Sequence, residues 1–191
     1  MSRLLPLPVN PDLDLEFERI VPLPPKAIWD AWTKPAQLVK WFTPAPWKTI
    51  ECAIDLRPGG RFYTVMQSPE GQLFPGEGCY LEVVPNRRLI WTNAMAPGFR
   101  PVPPPSAADE NVNFTFTGVI TLTPHGKGTK YHAHVRHSNI AGRNAHAAMN
   151  FAEGWGKALD QLVAMVNARR APKPRRRAAK AKPKAKPKAK K

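Results

Sequence analysis

The stretch 112–123 alternates between apolar and polar residues with unusual regularity. Phe114, Phe116 and Ile120 fall in one phase, and threonines fill most of the other. Because alternate side chains of a β-strand point to opposite faces, the pattern predicts a strand with one buried face. An antiparallel sheet with one apolar face needs a cover on that face, and this requirement limits the folds open to the chain.

Further strands are predicted by alternation and by flanking turns, over 13–21, 48–56, 61–67, 76–84, 88–94 and 129–137. Turns rich in proline or glycine separate several of them. Two short helices are predicted after the first strand, over 26–33 and from Pro35 to Phe42, each with proline near its start. The segment 97–111 holds five prolines and is predicted to be a loop, acting as a binding element or a mobile cover.

The cover is predicted at 144–168, where apolar residues recur at helical spacing and indicate one long amphipathic helix. Gly154 and Gly156 flank Trp155 inside it, at a cost of about 1 kcal/mol each, so close packing is predicted there. The order of strand, two short helices, strands and long helix predicts a single α+β domain. The predicted arrangement is a helix-grip fold, in which a curved antiparallel sheet wraps around the C-terminal helix.

Local motifs strengthen this interpretation. They are the segments 25–32, 38–42, 55–62 and 85–89, with Gly78, Gly128-Thr129 and Glu153-Gly154-Trp155. In this order, over about residues 13–166, they resemble the activator-of-heat-shock-ATPase-like branch of the START-related, birch-allergen-like (SRPBCC) superfamily. The resemblance implies a hydrophobic cavity between the sheet and the long helix. Relatives bind lipids, sterols or polyketides, some catalyse cyclisation or hydrolysis, and one eukaryotic branch assists a chaperone ATPase.

Strand phase and helix face select the side chains that would line such a cavity. The predicted pocket residues are Trp41, Phe42, Phe62, Met66, Trp91, Phe114, Phe116, His137, Phe151 and Trp155. Polar anchors for a ligand are predicted among Tyr63, Tyr80, Asn93, Tyr131 and His137. The same large side chains also fit a solid core, so an open cavity and a filled one remain alternatives.

The histidines give little indication of a catalytic or metal site. His132 and His134 alternate with an apolar set and are predicted to face solvent, whereas His137 falls on the inward phase and is the one weak catalytic candidate. No metal site or cofactor is predicted, because a metal needs three or four converging ligands. The sequence has no nucleophile motif or phosphate loop. Four acids are predicted to be solvated charges, with a lone pocket acid as the alternative: Asp55, Glu77, Glu82 and Glu153.

The last 23 residues, 169–191, hold 13 of the 29 Lys and Arg residues and no acid, so residues 1–168 keep 16 basic against 14 acidic residues, a net charge of +2. A Lys/Ala/Pro-rich tail cannot build a core and is predicted to be disordered. Its charges suit nucleic-acid phosphates without sequence preference. The predicted contacts are Arg169, Arg170, Lys173, Arg175, Arg176, Arg177, Lys180, Lys182, Lys184 and Lys186. The alternatives are a solubilising tail and contact with an anionic membrane or an acidic protein.

The predicted organisation is an N-terminal arm over 1–12, a helix-grip domain over 13–168 and the tail over 169–191. Cys52 and Cys79 are predicted to be free thiols, no membrane span is predicted, and a cytoplasmic location follows, with the nucleoid as an alternative. The favoured function is non-catalytic binding of a small apolar molecule or lipid. The alternatives are a co-chaperone-like adaptor that binds a chaperone or another protein, a cyclase- or hydrolase-type enzyme, and a tail-directed tether.

Overall fold

A computed structural model describes residue 4 and residues 7–103 and 114–170 of the chain. Nine strands and four helices are defined there. They are β1 (Asp14–Val21), α1 (Pro25–Thr33), α2 (Pro35–Leu38), β2 (Lys48–Ile54), β3 (Arg61–Gln67), β4 (Leu73–Val84), β5 (Arg88–Thr92), β6 (Met95–Ala96), β7 (Arg100–Pro101), β8 (Phe116–His125), β9 (Gly128–His137), α3 (Ile140–Ala148) and α4 (Phe151–Arg170).

Seven of the strands form one open antiparallel sheet in the order β1-β9-β8-β5-β4-β3-β2. The short strands β6 and β7 pair with each other; β6 directly precedes the segment predicted to be a loop, and β7 lies inside it. Residues 104–111 of that segment lie outside the described residues. The α+β helix-grip fold, an antiparallel sheet with a long C-terminal helix, is confirmed. No helix in the described parts of the chain is long and apolar enough to cross a membrane.

One face of the sheet carries the core. The cross-strand register sets Tyr80, Trp91, Gly118 and Val135 side by side across four strands, and the first two pack in one cluster with Leu159 of α4. We call this the inner face and the opposite one the outer face. A Cβ atom on Gly118 would lie 2.7 Å from the Trp91 ring, so this position has room for glycine alone. The alternation over β8 therefore assigned its inner face correctly.

The single helix predicted over 144–168 is wrong in one respect: the chain forms two helices. Helix α3 begins at residue 140, where the Asn139 side chain caps it by accepting a hydrogen bond from Gly142 N at 2.7 Å. It ends at Ala148, and α4 begins at Phe151. Asn150 between them has φ +57°, a left-handed conformation that ends the helix. The periodicity of apolar residues continues across this break and so did not reveal it.

Two smaller expectations also fail. Helix α2 ends at Leu38, so Trp41 and Phe42 lie in the turn that follows it and not on a helix. The close packing predicted at Gly154 and Gly156 is absent among the described residues, since a Cβ atom there would meet its nearest neighbours at 3.9 and 3.8 Å. These are ordinary van der Waals distances. We have no physical account of the two glycines.

Candidate functional site

The predicted pocket residues separate into two groups on the inner face, with Met66 belonging to neither. The first, which we call the central aromatic cluster, comprises Trp32, Trp41, Phe42, Phe62, Tyr80 and Trp91. Trp32 lies at its middle, with ring centroids 4.9 Å from Trp41 and 5.3 Å from Trp91. Phe62 lies 5.5 Å from Trp91 and 5.8 Å from Phe42. These separations are those of favourable aromatic pairs, and they give the cluster a defined shape.

Trp32 was not among the residues predicted for the pocket. Its helical spacing with Ile28 predicted a short helix, and that signal could not show which rings Trp32 would meet. Its helix α1 also positions Trp41, whose indole N–H donates to Ala31 O at 3.1 Å. This bond fixes the turn after α2, which also carries Phe42.

Tyr80 places a polar group in the central aromatic cluster. Its side chain is fully buried, and its hydroxyl has no hydrogen-bond partner among the described residues. Burial raises the pKa of Tyr80 far above its ordinary value, and the nearby Cys52 adds to the rise. The phenol is therefore neutral at physiological pH. A buried hydroxyl without a partner costs about 1–3 kcal/mol, so this group calls for an explanation.

Tyr131 and Trp155 join the long helix to the sheet. The Trp155 indole N–H donates to the Tyr131 hydroxyl at 3.0 Å, and the tyrosine side chain is buried. Tyr131 was predicted as a polar anchor and Trp155 as the helix wall, and the structure brings the two together. Burial raises the pKa of Tyr131, so its hydroxyl also stays neutral.

The second group, which we call the histidine–aromatic cluster, lies where β8, β9, α3 and α4 meet. It comprises Phe114, Phe116, His137, His146, Phe151 and Trp155. His146 stacks on Phe114 with a centroid distance of 4.7 Å and an interplanar angle of 27°. It was not predicted as a site residue, because the predicted single helix gave no reason to turn it towards His137.

Hydrogen bonds fix the tautomers of the two histidines. His137 Nδ1 lies 3.0 Å from Leu13 O, a carbonyl that only accepts, so Nδ1 carries the proton. His137 Nε2 then accepts from His146 Nδ1 at 3.0 Å. Burial lowers the pKa of His146 to about 4, and electrostatic repulsion from His137 adds to this shift. Burial also lowers the pKa of His137. Both rings are neutral at pH 7, and both nitrogens of His137 are engaged.

One prediction about the histidines of the outer face is wrong. His134 was predicted to face solvent, but it is only 2% exposed, and its Nε2 lies 2.8 Å from Asp14 Oδ2. Asp14 is also buried, and it accepts a second hydrogen bond from Asn10 N at 2.9 Å. The segment before β1 thus helps to cover this end of the sheet. His132 lies on the outer face as predicted, 2.9 Å from Glu16.

The other polar residues considered for the site form ion pairs or hydrogen bonds with neighbouring residues. Each of the four acids pairs with a basic residue: Asp55 with Arg57, Glu77 with Arg61, Glu82 with Arg88 and Glu153 with Lys157. The Asn93 side chain bonds the backbone of Phe114 and Phe116, which is a structural role. Burial raises the pKa of Cys52 to about 11, so this thiol is unreactive. No metal-binding group of three or more His, Cys, Asp or Glu residues is found in the described part of the chain.

A cavity of about 610 Å³ lies on the outer face of the sheet. Its lining includes Leu7, Ile90, Val119 and Arg136. Of the ten predicted pocket residues, only Phe116 and His137 border it, at the ends of β8 and β9. The other eight line the two inner-face clusters or, in the case of Met66, the far end of β3.

The predicted nucleic-acid contacts fall almost entirely outside the described residues. Helix α4 runs to Arg170 and so includes the first two residues of the predicted tail, and the Arg169 side chain is exposed at its end. Lys173 and the following basic residues lie beyond the described part of the chain.

Residues 22–167 match the family model described as activator of Hsp90 ATPase homolog 1-like protein. A crystal structure of a Nitrosomonas europaea protein is 41% identical with a TM-score of 0.78, covering 85% of this chain and 99% of the other. A Rhodobacter sphaeroides protein is 25% identical with a TM-score of 0.68, covering 82% and 93%. A solution structure from Arthrobacter aurescens, at 19% identity and TM-score 0.66 over 82% and 87%, shares the fold. No curated protein matches the sequence.

Proposed function

The chain belongs to the activator of Hsp90 ATPase homolog 1-like family, and on that premise we propose that it binds a small, largely apolar molecule between the inner face and the helices, without transforming it. Membership of the family supports a ligand-binding or co-chaperone-like domain. The proposal commits to ligand binding because of the central aromatic cluster and the polar group inside it.

The observation that carries this proposal is the Tyr80 hydroxyl. It is buried among aromatic rings and has no partner in the described residues. Small-molecule sites are mostly apolar with a few polar groups that orient the ligand, and this arrangement matches that description. Phe42 and Cys52, both half-buried, border the same cluster and leave it incompletely covered. A ligand with one polar atom would satisfy the hydroxyl and complete the packing.

Native mass spectrometry of the full chain, purified gently from its own host, tests the proposal. We expect a bound adduct of a few hundred daltons in the wild type. Tyr80→Phe removes one polar anchor of the cluster, so its adduct occupancy should correspond to a roughly 3–10-fold weaker affinity, the value of one hydrogen bond. Tyr63→Phe is the matched control, because Tyr63 lies on the outer face beneath the Arg61 guanidinium. Repeated preparations without any adduct would contradict the proposal.

The family description and α3 favour protein binding as a second candidate function. Ile140 and Met149 flank the ends of α3, and they are 56% and 53% exposed. Exposed apolar side chains at the two ends of one helix suit contact with another protein. In a co-chaperone-like role, the full chain would raise the ATPase rate of an Hsp90-type chaperone, and replacing both residues with serine would remove that effect. An unchanged ATPase rate with the wild-type chain would exclude this role.

The tail supports a separate role as a tether to nucleic acid. Its 13 basic residues stand against no acid, and the sequence 169–191 has no aromatic residue for base stacking. Binding would therefore be sequence-independent and would weaken steeply as salt concentration rises. A chain truncated after Arg170 should lose this affinity for duplex DNA in fluorescence anisotropy. If the truncated chain binds as the full chain does, the tail is not the tether.

A further inference from the structure

The outer face carries an apolar patch where strand alternation ordinarily leaves polar side chains. Ile90 of β5 and Val119 of β8 are direct cross-strand partners on this face. They are only 9% and 3% exposed, as buried as the core on the opposite face. Both line the cavity of about 610 Å³, whose size falls within the range of small-molecule sites.

Two local features build the apolar part of this cavity. A β-bulge between Tyr80 and Glu82 leaves Leu81 as the extra residue of β4, and Leu81 lines the cavity with Glu82. Bulges redirect side chains in this way and are frequent beside binding sites. Leu7, from the segment before β1, borders the cavity from outside the sheet. Apolar groups therefore come from three strands and from that segment.

One end of the cavity is polar and includes the Arg136 guanidinium. Arg136 lies across from Thr117 in the β8–β9 ladder, and both line the cavity with Ser138. Arg136 forms a long ion pair with Asp14, in which its Nε atom lies 3.9 Å from Asp14 Oδ2 without a hydrogen bond. Asp14 Oδ2 is already bonded to His134 at 2.8 Å and to Asn10 N at 2.9 Å.

The acid on the cavity wall, Glu82, is paired with an arginine other than Arg136. Glu82 forms a two-point ion pair with Arg88, with distances of 2.6 and 2.8 Å. Its charge is therefore compensated by a residue other than Arg136. A planar guanidinium beside hydroxyl groups is well suited to hold a carboxylate by charge-assisted hydrogen bonds.

From these observations we infer that the outer-face cavity binds an amphipathic carboxylate of the fatty-acid kind. Its hydrocarbon chain lies on Ile90, Val119 and Leu81, and its carboxylate meets Arg136 and the neighbouring hydroxyls. This site is on the opposite side of the sheet from the central aromatic cluster. It does not depend on the inner-face ligand, and the two sites are tested by different residues.

Isothermal titration of the full chain with dodecanoate tests the inference. Arg136→Gln should raise the Kd at least tenfold, because it removes the charged partner of the carboxylate. Lys130→Gln is the matched control: Lys130 lies on the same face of β9, paired with Glu18 away from the cavity, and its loss should leave the Kd unchanged. Methyl dodecanoate, which has the same chain without the charge, should bind the wild type as weakly as dodecanoate binds Arg136→Gln.

Methyl NMR of the wild-type chain gives a measurement that needs no variant. Dodecanoate should shift the Ile90 and Val119 methyl signals, whereas those of Leu159 and Leu162 in the inner core should stay in place. The inference is overturned if Arg136→Gln binds as the wild type does. It is equally overturned if dodecanoate shifts the inner-core methyls alone, or if Tyr80→Phe, and not Arg136→Gln, weakens its binding.

Discussion

At the scale of single residues, Gly118 shows how a missing side chain fixes an aromatic one. The Trp91 ring lies 2.7 Å from the position that a Cβ atom of residue 118 would take, and it packs against Trp32 and Phe62. Gly118→Ala should lower the free energy of unfolding by about 1–3 kcal/mol, because the ring cannot move away. Urea unfolding measures this change.

Gly76→Ala is the control for that substitution. Gly76 also lies in a strand, yet a Cβ atom there would meet Thr64 at ordinary distances, 3.7 Å from Oγ1 and 4.0 Å from the backbone oxygen. It should leave stability within about 0.5 kcal/mol of the wild type. Equal losses at the two positions would show that the Trp91 contact is not the cause.

Tyr80→Phe should have opposite effects on stability and on binding. Without ligand, removing a buried hydroxyl that lacks a partner should raise the free energy of unfolding by about 1 kcal/mol. The same change should weaken binding of the ligand at the inner face. Thermal unfolding of ligand-free protein measures the first effect, and a clear loss of stability would mean that the hydroxyl is already hydrogen-bonded.

The histidine–aromatic cluster should make stability depend on pH. The pKa of His146 is about 4 in the folded state against 6.5 ordinarily, so between these values the unfolded chain binds more protons. Stability is therefore full above about pH 6.5 and falls as the pH drops towards 4, by on the order of 2–3 kcal/mol. Urea unfolding at pH 7.5 and at pH 4.5 measures this loss.

Replacing His146 separates this residue from other titrating groups. His146→Asn keeps a donor for His137 but cannot be protonated, so it should lose less stability between the two pH values. His125→Gln changes an exposed histidine and should keep the wild-type dependence. If His146→Asn also keeps it, the acid sensitivity arises elsewhere.

At the scale of elements, the junction of α3 and α4 depends on Asn150. Its φ of +57° is strained for most residues, tolerated by Asn and free for Gly. Asn150→Gly should keep or slightly raise stability, whereas Asn150→Ala should lower it by about 1 kcal/mol. Denaturant unfolding ranks the two variants, and an Ala variant as stable as the Gly variant would show that the junction is not fixed by this conformation.

The elements also show what periodicity can predict. Alternation assigned the inner faces of β5, β8 and β9 because burial acts on every second residue along a strand. It missed the division between α3 and α4, because one left-handed residue leaves the apolar spacing unchanged. It also missed the burial of His134, which depends on a contact with Asp14 of another strand. Tertiary neighbours of this kind leave no local pattern in the sequence.

At the scale of the whole molecule, charge and fold are separate. Residues 1–168 have a net charge of +2, and the remaining positive charge lies in residues 169–191. Truncation after Arg170 should therefore change the free energy of unfolding by less than about 0.5 kcal/mol. Chemical denaturation of both chains at matched ionic strength measures this, and a larger loss would show that the tail contacts the folded domain.

Strand β8 serves both faces of the sheet at alternate positions. Phe116, Gly118 and Ile120 belong to the inner face, while Thr117 and Val119 belong to the outer-face cavity. Selection can therefore change one set by point mutation and leave the other intact. Gain or loss of a single codon within β8 would instead exchange the two sets and ruin both at once. Variation among descendants of this gene should accordingly consist of replacements along β8, with changes of length confined to the turns at its ends.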